Sequence, residues 1–140
     1  MSQTTDDLHA KINQITDLNK YLESNKEDLT IQNPIEYLLN IAANKGLSKT
    51  DIVKNSQLER SFCYHLLDGS KTLTREKALA LAFGTKLSQE ETQTLLKYAQ
   101  LPKLYPRNPR DSVILFCLHK NVSLIDTNIM LDNLGLNPIC

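Results

Sequence analysis

Residues 48–69 read SKTDIVKNSQLERSFCYHLLDG, and the caps and apolar positions in this stretch predict two short helices joined by a tight turn. Ser48 and Asp51 have the S-x-x-D spacing of a capping box, in which each side chain takes up a free backbone N–H of the other residue, so a helix is predicted to begin just after Ser48. Ile52 and Val53 give that helix its apolar face, and Asn55-Ser56-Gln57 ends it. A second helix is predicted from about Glu59 to Leu67, with Cys63, Leu66 and Leu67 at i, i+3 and i+4 facing inward. Asp68-Gly69 closes it, the glycine being free to take the left-handed conformation.

Two short helices joined by a turn of three or four residues are the unit that sets its second helix in a DNA major groove. The stretch resembles the helix-turn-helix of the Cro/lambda-repressor type, the XRE family. Without gaps, Ser48 to Val53 falls on that family's first motif helix, Leu58 to Leu66 on its recognition helix and Gly69 on its closing glycine. The resemblance extends over roughly residues 33–100. Four positions depart from the family pattern. Val53 stands where a small alanine lets the two helices approach, and Gln57 holds the turn position where glycine supplies positive φ. Glu59 replaces a Ser or Thr N-cap, and Leu67 replaces a glutamate.

The resemblance implies a five-helix DNA-binding domain, double-stranded operator DNA as partner, and a homodimer on paired half-sites. Carried onto matching positions, it makes Arg60, Ser61 and His65 the base-edge readers, with Tyr64 on the same outward stripe. Arginine can bond bidentately to guanine O6 and N7, and imidazole or hydroxyl groups reach several bases. Lys49, at the start of the preceding helix, falls where the family meets a phosphate. Lys71, just past the recognition helix, is a further backbone contact. For Phe62 peripheral packing is the expectation.

The remaining composition suits an all-α chain with segments added to that domain. Of 140 residues, 41% are hydrophobic, 23% are charged and only four are glycine, with weak strand signals throughout. Formal net charge is zero, but it is unevenly placed. Between Lys45 and Lys77 seven bases face four acids, a local net of +3, whereas residues 1–44 carry three bases against seven acids, a net of −4. The positive stretch coincides with the helix-turn-helix, as expected of a surface that meets phosphates.

The longest apolar run, Val113 to Leu118, is far short of the ~20 residues that span a bilayer, so no membrane partner is expected. MSQTTDDLHAK at the N-terminus lacks the pattern of a signal peptide, which gives a cytoplasmic expectation. Cys63, Cys117 and Cys140 are odd in number and far apart, which argues against a disulfide framework.

Three segments follow. Residues 1–32 hold Leu8, Ile12, Ile15, Leu22 and Leu29 in a 4-3 pattern, with Asn19 and Lys26 at the remaining seam positions. This reads as a short coiled coil, a helix packed on its own domain, or an arm. Residues 33–100 form the helix-turn-helix domain. Asn33-Pro34-Ile35-Glu36 starts its first helix, followed by Ile35, Leu38, Leu39, Ala42 and Ala43 to Gly46. Thr74 starts a fourth helix through Ala78, Leu79, Ala82 and Phe83, and Ser88 with Glu91 a fifth holding Leu95, Leu96 and Ala99. Residues 101–140 begin with a Pro-rich crossing loop, Leu101 to Arg110. Asn108-Pro109 and Asp111 then repeat the start signals of the first core helix, and Ser123 with Asp126 makes one more capping box, opening a last helix that holds Ile129, Met130, Leu131 and Leu134. This pair is too apolar to hang free. It must pack on the core or on a second subunit, and both remain open here.

No catalytic set can be assembled. His9, His65 and His119 lie in separate segments without ligand-type neighbours, and four scattered glycines cannot build a phosphate loop. The expectation is therefore a non-enzyme without cofactor or metal: a dimeric, repressor-type transcriptional regulator. The dimer contact is expected from the C-terminal pair and the Pro-rich loop in preference to the N-terminal seam. The alternative is a protein-interaction module, adaptor or antitoxin-like, that keeps the fold and binds DNA weakly, engaging its partner through the C-terminal pair. Gln57, Glu59, Asp68 and zero net charge favour that alternative; Arg60 and the local positive charge favour DNA.

Overall fold

Among the described residues, each helix begins where a side chain takes up its free N–H groups. The computed structural model describes residues 33–140, which fold as one compact unit, so the seam read over residues 5–29 lies outside the described residues. Seven α-helices and no strands occur among them: α1 (Pro34–Asn44), α2 (Lys49–Ser56), α3 (Arg60–Leu67), α4 (Arg75–Gly84), α5 (Gln89–Tyr98), α6 (Pro109–His119) and α7 (Leu124–Asn133). The described residues are all-α, and none of these helices is long and apolar enough to cross a membrane.

The caps foreseen from the sequence are made. Asn33 accepts from the Ile35 and Glu36 N–H groups, and both halves of the Ser48/Asp51 and Ser88/Glu91 capping boxes form. Thr74 caps α4 through Lys77, and Asn108 caps α6 through Asp111. The capping box read at Ser123 and Asp126 forms only by half: Ser123 accepts from the Asp126 N–H, and the Ser123 N–H makes no bond to the Asp126 carboxylate. Each such cap is worth about 1 kcal/mol.

One turn is used three times. Gly46-Leu47-Ser48, Lys86-Leu87-Ser88 and Asn121-Val122-Ser123 each place a left-handed residue (φ 73°, 58° and 57°) after a helix. The apolar residue that follows returns its N–H to the helix, Leu47 to Ala42 O, Leu87 to Ala82 O and Val122 to Cys117 O. The serine then caps the next helix. The correspondence reaches further for two of the hairpins. Asn33 to Asp51 aligns without gaps on Asn108 to Asp126, with Asn, Pro, Lys, Ser and Asp identical at 33/108, 34/109, 45/120, 48/123 and 51/126. The α6–α7 pair is built like the α1–α2 pair.

The α6–α7 pair packs on the core of its own chain. Leu104, Ile114, Cys117, Leu118, Leu124, Leu131 and Ile139 join Leu38, Ile52, Leu66 and Leu79 in one buried cluster. The loop between α5 and α6 is fastened by Gln93, whose side chain accepts from the Leu104 N–H and donates to the Leu104 carbonyl. Asn128 does the same for Ile139 near the C-terminus.

This second layer changes the reading of α4. The sequence assigns it a stripe at Ala78, Leu79, Ala82 and Phe83, but every residue from Ala78 to Gly84 is buried. A helix covered on all sides must be apolar on all sides, and α4 packs on α2, α5 and α7. Two other stripes are narrower than expected. Ala43 is exposed on α1, and on α7 Ile129 and Leu134 are exposed at 53% and 61% while Leu124, Thr127 and Leu131 face in.

Candidate nucleic-acid interface

Helices α2 and α3 are both eight residues long, joined by Gln57-Leu58-Glu59. Gln57 takes φ 59°, so it adopts the left-handed turn conformation without being glycine, and its side-chain N–H donates to the Lys54 carbonyl. Val53, which stands in place of a small residue, is half-buried, and a different pair, α2 and α4, makes a close approach. A Cβ on Gly84 of α4 would lie 2.9 Å from the Ile52 carbonyl oxygen and 3.0 Å from Ser56 Cβ. The buried Ser56 hydroxyl bonds back to the Val53 carbonyl and lies 3.6 Å from the Cys63 sulfur. Burial pushes the Cys63 thiol up from its ordinary pKa, with the Ser56 contact opposing.

The facing of α3 matches its apolar spacing. Cys63, Leu66 and Leu67 are buried, Arg60, Ser61, His65 and Asp68 are exposed, and Tyr64 is half-buried. The Tyr64 hydroxyl lies 3.3 Å from the Thr50 hydroxyl on α2, which joins the outward face of α3 to the first turn of α2, where the exposed Lys49 sits. The Arg60 guanidinium lies 5.9 Å from the Tyr64 ring centroid, within cation–π range. His65 turns Nδ1 toward Ser70 Oγ at 3.2 Å and Asp68 Oδ2 at 3.8 Å, while Nε2 makes no hydrogen bond within the described residues. Lys71 is exposed, and its N–H returns to the His65 carbonyl. Phe62 is partly buried against the core, as expected, with the Lys77 ammonium 5.4 Å from its ring centroid.

The acids of this region point along the backbone. Glu59 is itself the N-cap of α3: its carboxylate accepts from the Phe62 N–H at 2.7 Å and the Ser61 N–H at 3.1 Å, which holds its pKa below the usual carboxylate range. Asp68 is lowered by the Ser70 hydroxyl and then the Ser70 N–H, and Asp51 by the Ser48 N–H and then its hydroxyl. Glu76 is paired with Arg110.

Two of the seven bases are likewise committed to structure. Arg75 faces inward to Asp111, and Lys45 pairs with Glu91 at 3.2 Å. The outward cations of the stretch are Lys49, Lys54, Arg60 and Lys71, with the half-buried Lys77 beside them. Sequence reasoning gave Thr50 no role and counted Lys77 only among the bases of the positive stretch. Thr50 stands one residue after Lys49 in the first turn of α2 and so could have been placed outward, but its tie to Tyr64 has no signal in the spacing.

Comparison with family models, curated proteins and solved structures finds no match to this chain.

Proposed function

We propose that this chain binds double-stranded operator DNA through α2 and α3 and acts as a dimeric transcriptional repressor, with α1 to α5 serving as a lambda-repressor-like module. The observation that carries the reading is the outward surface of α2 and α3. It presents Lys49, Arg60, Ser61, Tyr64, His65 and Lys71, while Asp51, Glu59 and Asp68 are turned onto backbone N–H groups. Glu59 keeps its negative charge, but its carboxylate is held on the Phe62 and Ser61 N–H groups at the start of α3. Arg60 and His65 are the base-edge readers, Lys49 and Lys71 the phosphate contacts, and Tyr64 and Ser61 complete the stripe.

A single module reads few base pairs, so two copies on paired half-sites supply affinity and specificity. With the apolar face of α6–α7 engaged on its own core, Phe116, Ile125, Ile129 and Leu134 remain as the exposed apolar residues of that pair through which copies meet. Anisotropy titration of a labelled random duplex across a range of salt tests the reading. Affinity falling steeply with salt is expected, because phosphate neutralisation releases counterions; absence of binding at low salt overturns it.

A second reading, docking of a protein partner through α7, is favoured by one observation. At the positions where α2 carries Thr50 and Lys54, α7 carries Ile125 and Ile129, each 53% exposed. Sedimentation of the full chain separates self-association from a monomer that keeps this face for another protein.

A further inference from the structure

The end of α2, the end of α4 and the α6–α7 turn enclose a cleft of about 330 Å3, at the small end of the range for ligand sites. Its floor is apolar. Phe83, Leu87, Leu118 and Leu124 line it, each at most 6% exposed, and Ile125 stands half-exposed at its side. Its rim is polar and carries one charged side chain, Lys86. The Lys86 ammonium is exposed, and among the described residues no hydrogen bond or ion pair engages it.

The backbone around the rim has few acceptors left to offer. Lys86 and Asn121 are the left-handed residues that close α4 and α6, and there the last-turn carbonyls are already bonded: Phe83 O to the Lys86 N–H, Ala82 O to Leu87, Leu118 O to Asn121 and Cys117 O to Val122. The Lys86 carbonyl accepts from the Lys45 ammonium. What remains is a floor of branched and aromatic carbon beside Lys86, the one cation of the lining, whose charge acts on Asp51 outside the cleft, with the side-chain amides of Asn55, Gln57 and Asn121 also lining it. A cationic head would be repelled by Lys86, and a neutral apolar molecule would leave its charge unused. A carboxylate on an apolar body satisfies both halves of the cleft.

We propose that this cleft is a binding site for a small apolar monocarboxylate, its chain or ring on Phe83, Leu87, Leu118 and Leu124 and its carboxylate on Lys86. The site stands independently of the DNA-binding reading, although Asn55 and Gln57 place it against the end of α2 and the turn that leads into α3.

The test uses the full chain with octanoate as probe and octylamine and octanamide, of the same length, as controls. Titration followed by 1H–15N spectra is expected to show octanoate shifts centred on Gln57, Lys86, Leu87 and the amides from Asn121 to Ile125. Octylamine and octanamide should each bind several-fold more weakly. Lys86→Met keeps the side-chain length and the backbone requirement and should lower octanoate affinity about threefold, as expected of an exposed ion pair, with an unchanged melting temperature. Three results each overturn the proposal: no saturable shifts at millimolar octanoate, shifts centred elsewhere, or equal affinity for the three probes or for Lys86→Met.

Discussion

Arg75 Nη2 on α4 lies 2.9 Å from Asp111 Oδ2 on α6, and the residues next to them pair the other way round, Glu76 with Arg110 at 2.5 and 3.0 Å. The first turns of the two helices are thus clasped by crossed ion pairs. Both arginines also hold the chain beyond their partners: Arg75 donates to the Pro102 and Lys103 carbonyls, Arg110 to those of Asn137 and Pro138. Asp111 accepts in addition from the Tyr105 N–H. This is how a loop rich in proline, unable to form a regular hydrogen-bond pattern, is fixed against the core.

Removing one partner of the Arg75–Asp111 pair is expected to destabilise strongly, because the Asp111 side chain is only 7% exposed. Arg75→Ala leaves that carboxylate buried and unpaired, which costs about 3 kcal/mol. Urea denaturation measures this directly. A loss below about 0.5 kcal/mol, the level of a surface pair, would show that the clasp does not hold the C-terminal pair in place.

Gly84→Ala should destabilise although alanine is the better helix former. The helical gain is at most ~1 kcal/mol, whereas the new Cβ meets the Ile52 carbonyl at 2.9 Å and Ser56 Cβ at 3.0 Å, and overpacking of this kind costs ~1–3 kcal/mol. A net loss of about 1 kcal/mol in thermal or urea melting is expected. A stabilised variant would mean that α2 and α4 are not in close contact.

Gln57→Gly carries the opposite sign. A side chain at φ 59° is strained by ~1–2 kcal/mol relative to glycine, partly offset by glycine's larger unfolded-state entropy and by loss of the bond to the Lys54 carbonyl. A net gain of about 0.5 kcal/mol is expected, seen as a small rise in melting temperature. A fall would indicate that the Gln57 side chain contributes more than the turn strain removes.

Much of the fold was legible because its start signals are local. Asn33-Pro34, Ser48/Asp51, Thr74, Ser88/Glu91 and Asn108-Pro109 each specify a cap within four residues, and each cap forms. The outward and inward faces of α3 followed from its spacing alone. What stayed illegible depends on partners distant in sequence. Arg75 counts as one more base in a positive stretch until Asp111, on a helix two elements later, turns it inward. The N-cap position of Glu59 on α3 was legible, but not that its carboxylate would span both the Ser61 and Phe62 N–H groups. The all-round burial of α4 could have been suspected from the unbroken run Ala78 to Phe83, but it required knowing that α6 and α7 return to the same core.

Acid should weaken the motif. Asp51, Glu59 and Asp68 all have folded pKa values below the ordinary range, so they contribute stability above the unfolded carboxylate pKa of roughly 4. That contribution is lost as pH falls through the lower folded values. Melting temperature should therefore drop between about pH 5 and pH 2. In Glu59→Gln, which keeps an acceptor for the cap but cannot titrate, the drop should be smaller. An identical pH profile in that variant would separate Glu59 from the acid response.

The most direct measurement compares wild type, Arg60→Ala/His65→Ala and Lys49→Ala on a selected operator and a random duplex over a range of salt. The double variant should fold as wild type, bind random duplex nearly as well, and lose ~1–3 kcal/mol per lost base contact on the operator. Lys49→Ala should weaken both duplexes alike and make the salt slope shallower by roughly one. If selection yields no preferred sequence, or the double variant keeps the wild-type preference, α3 is not the reading helix.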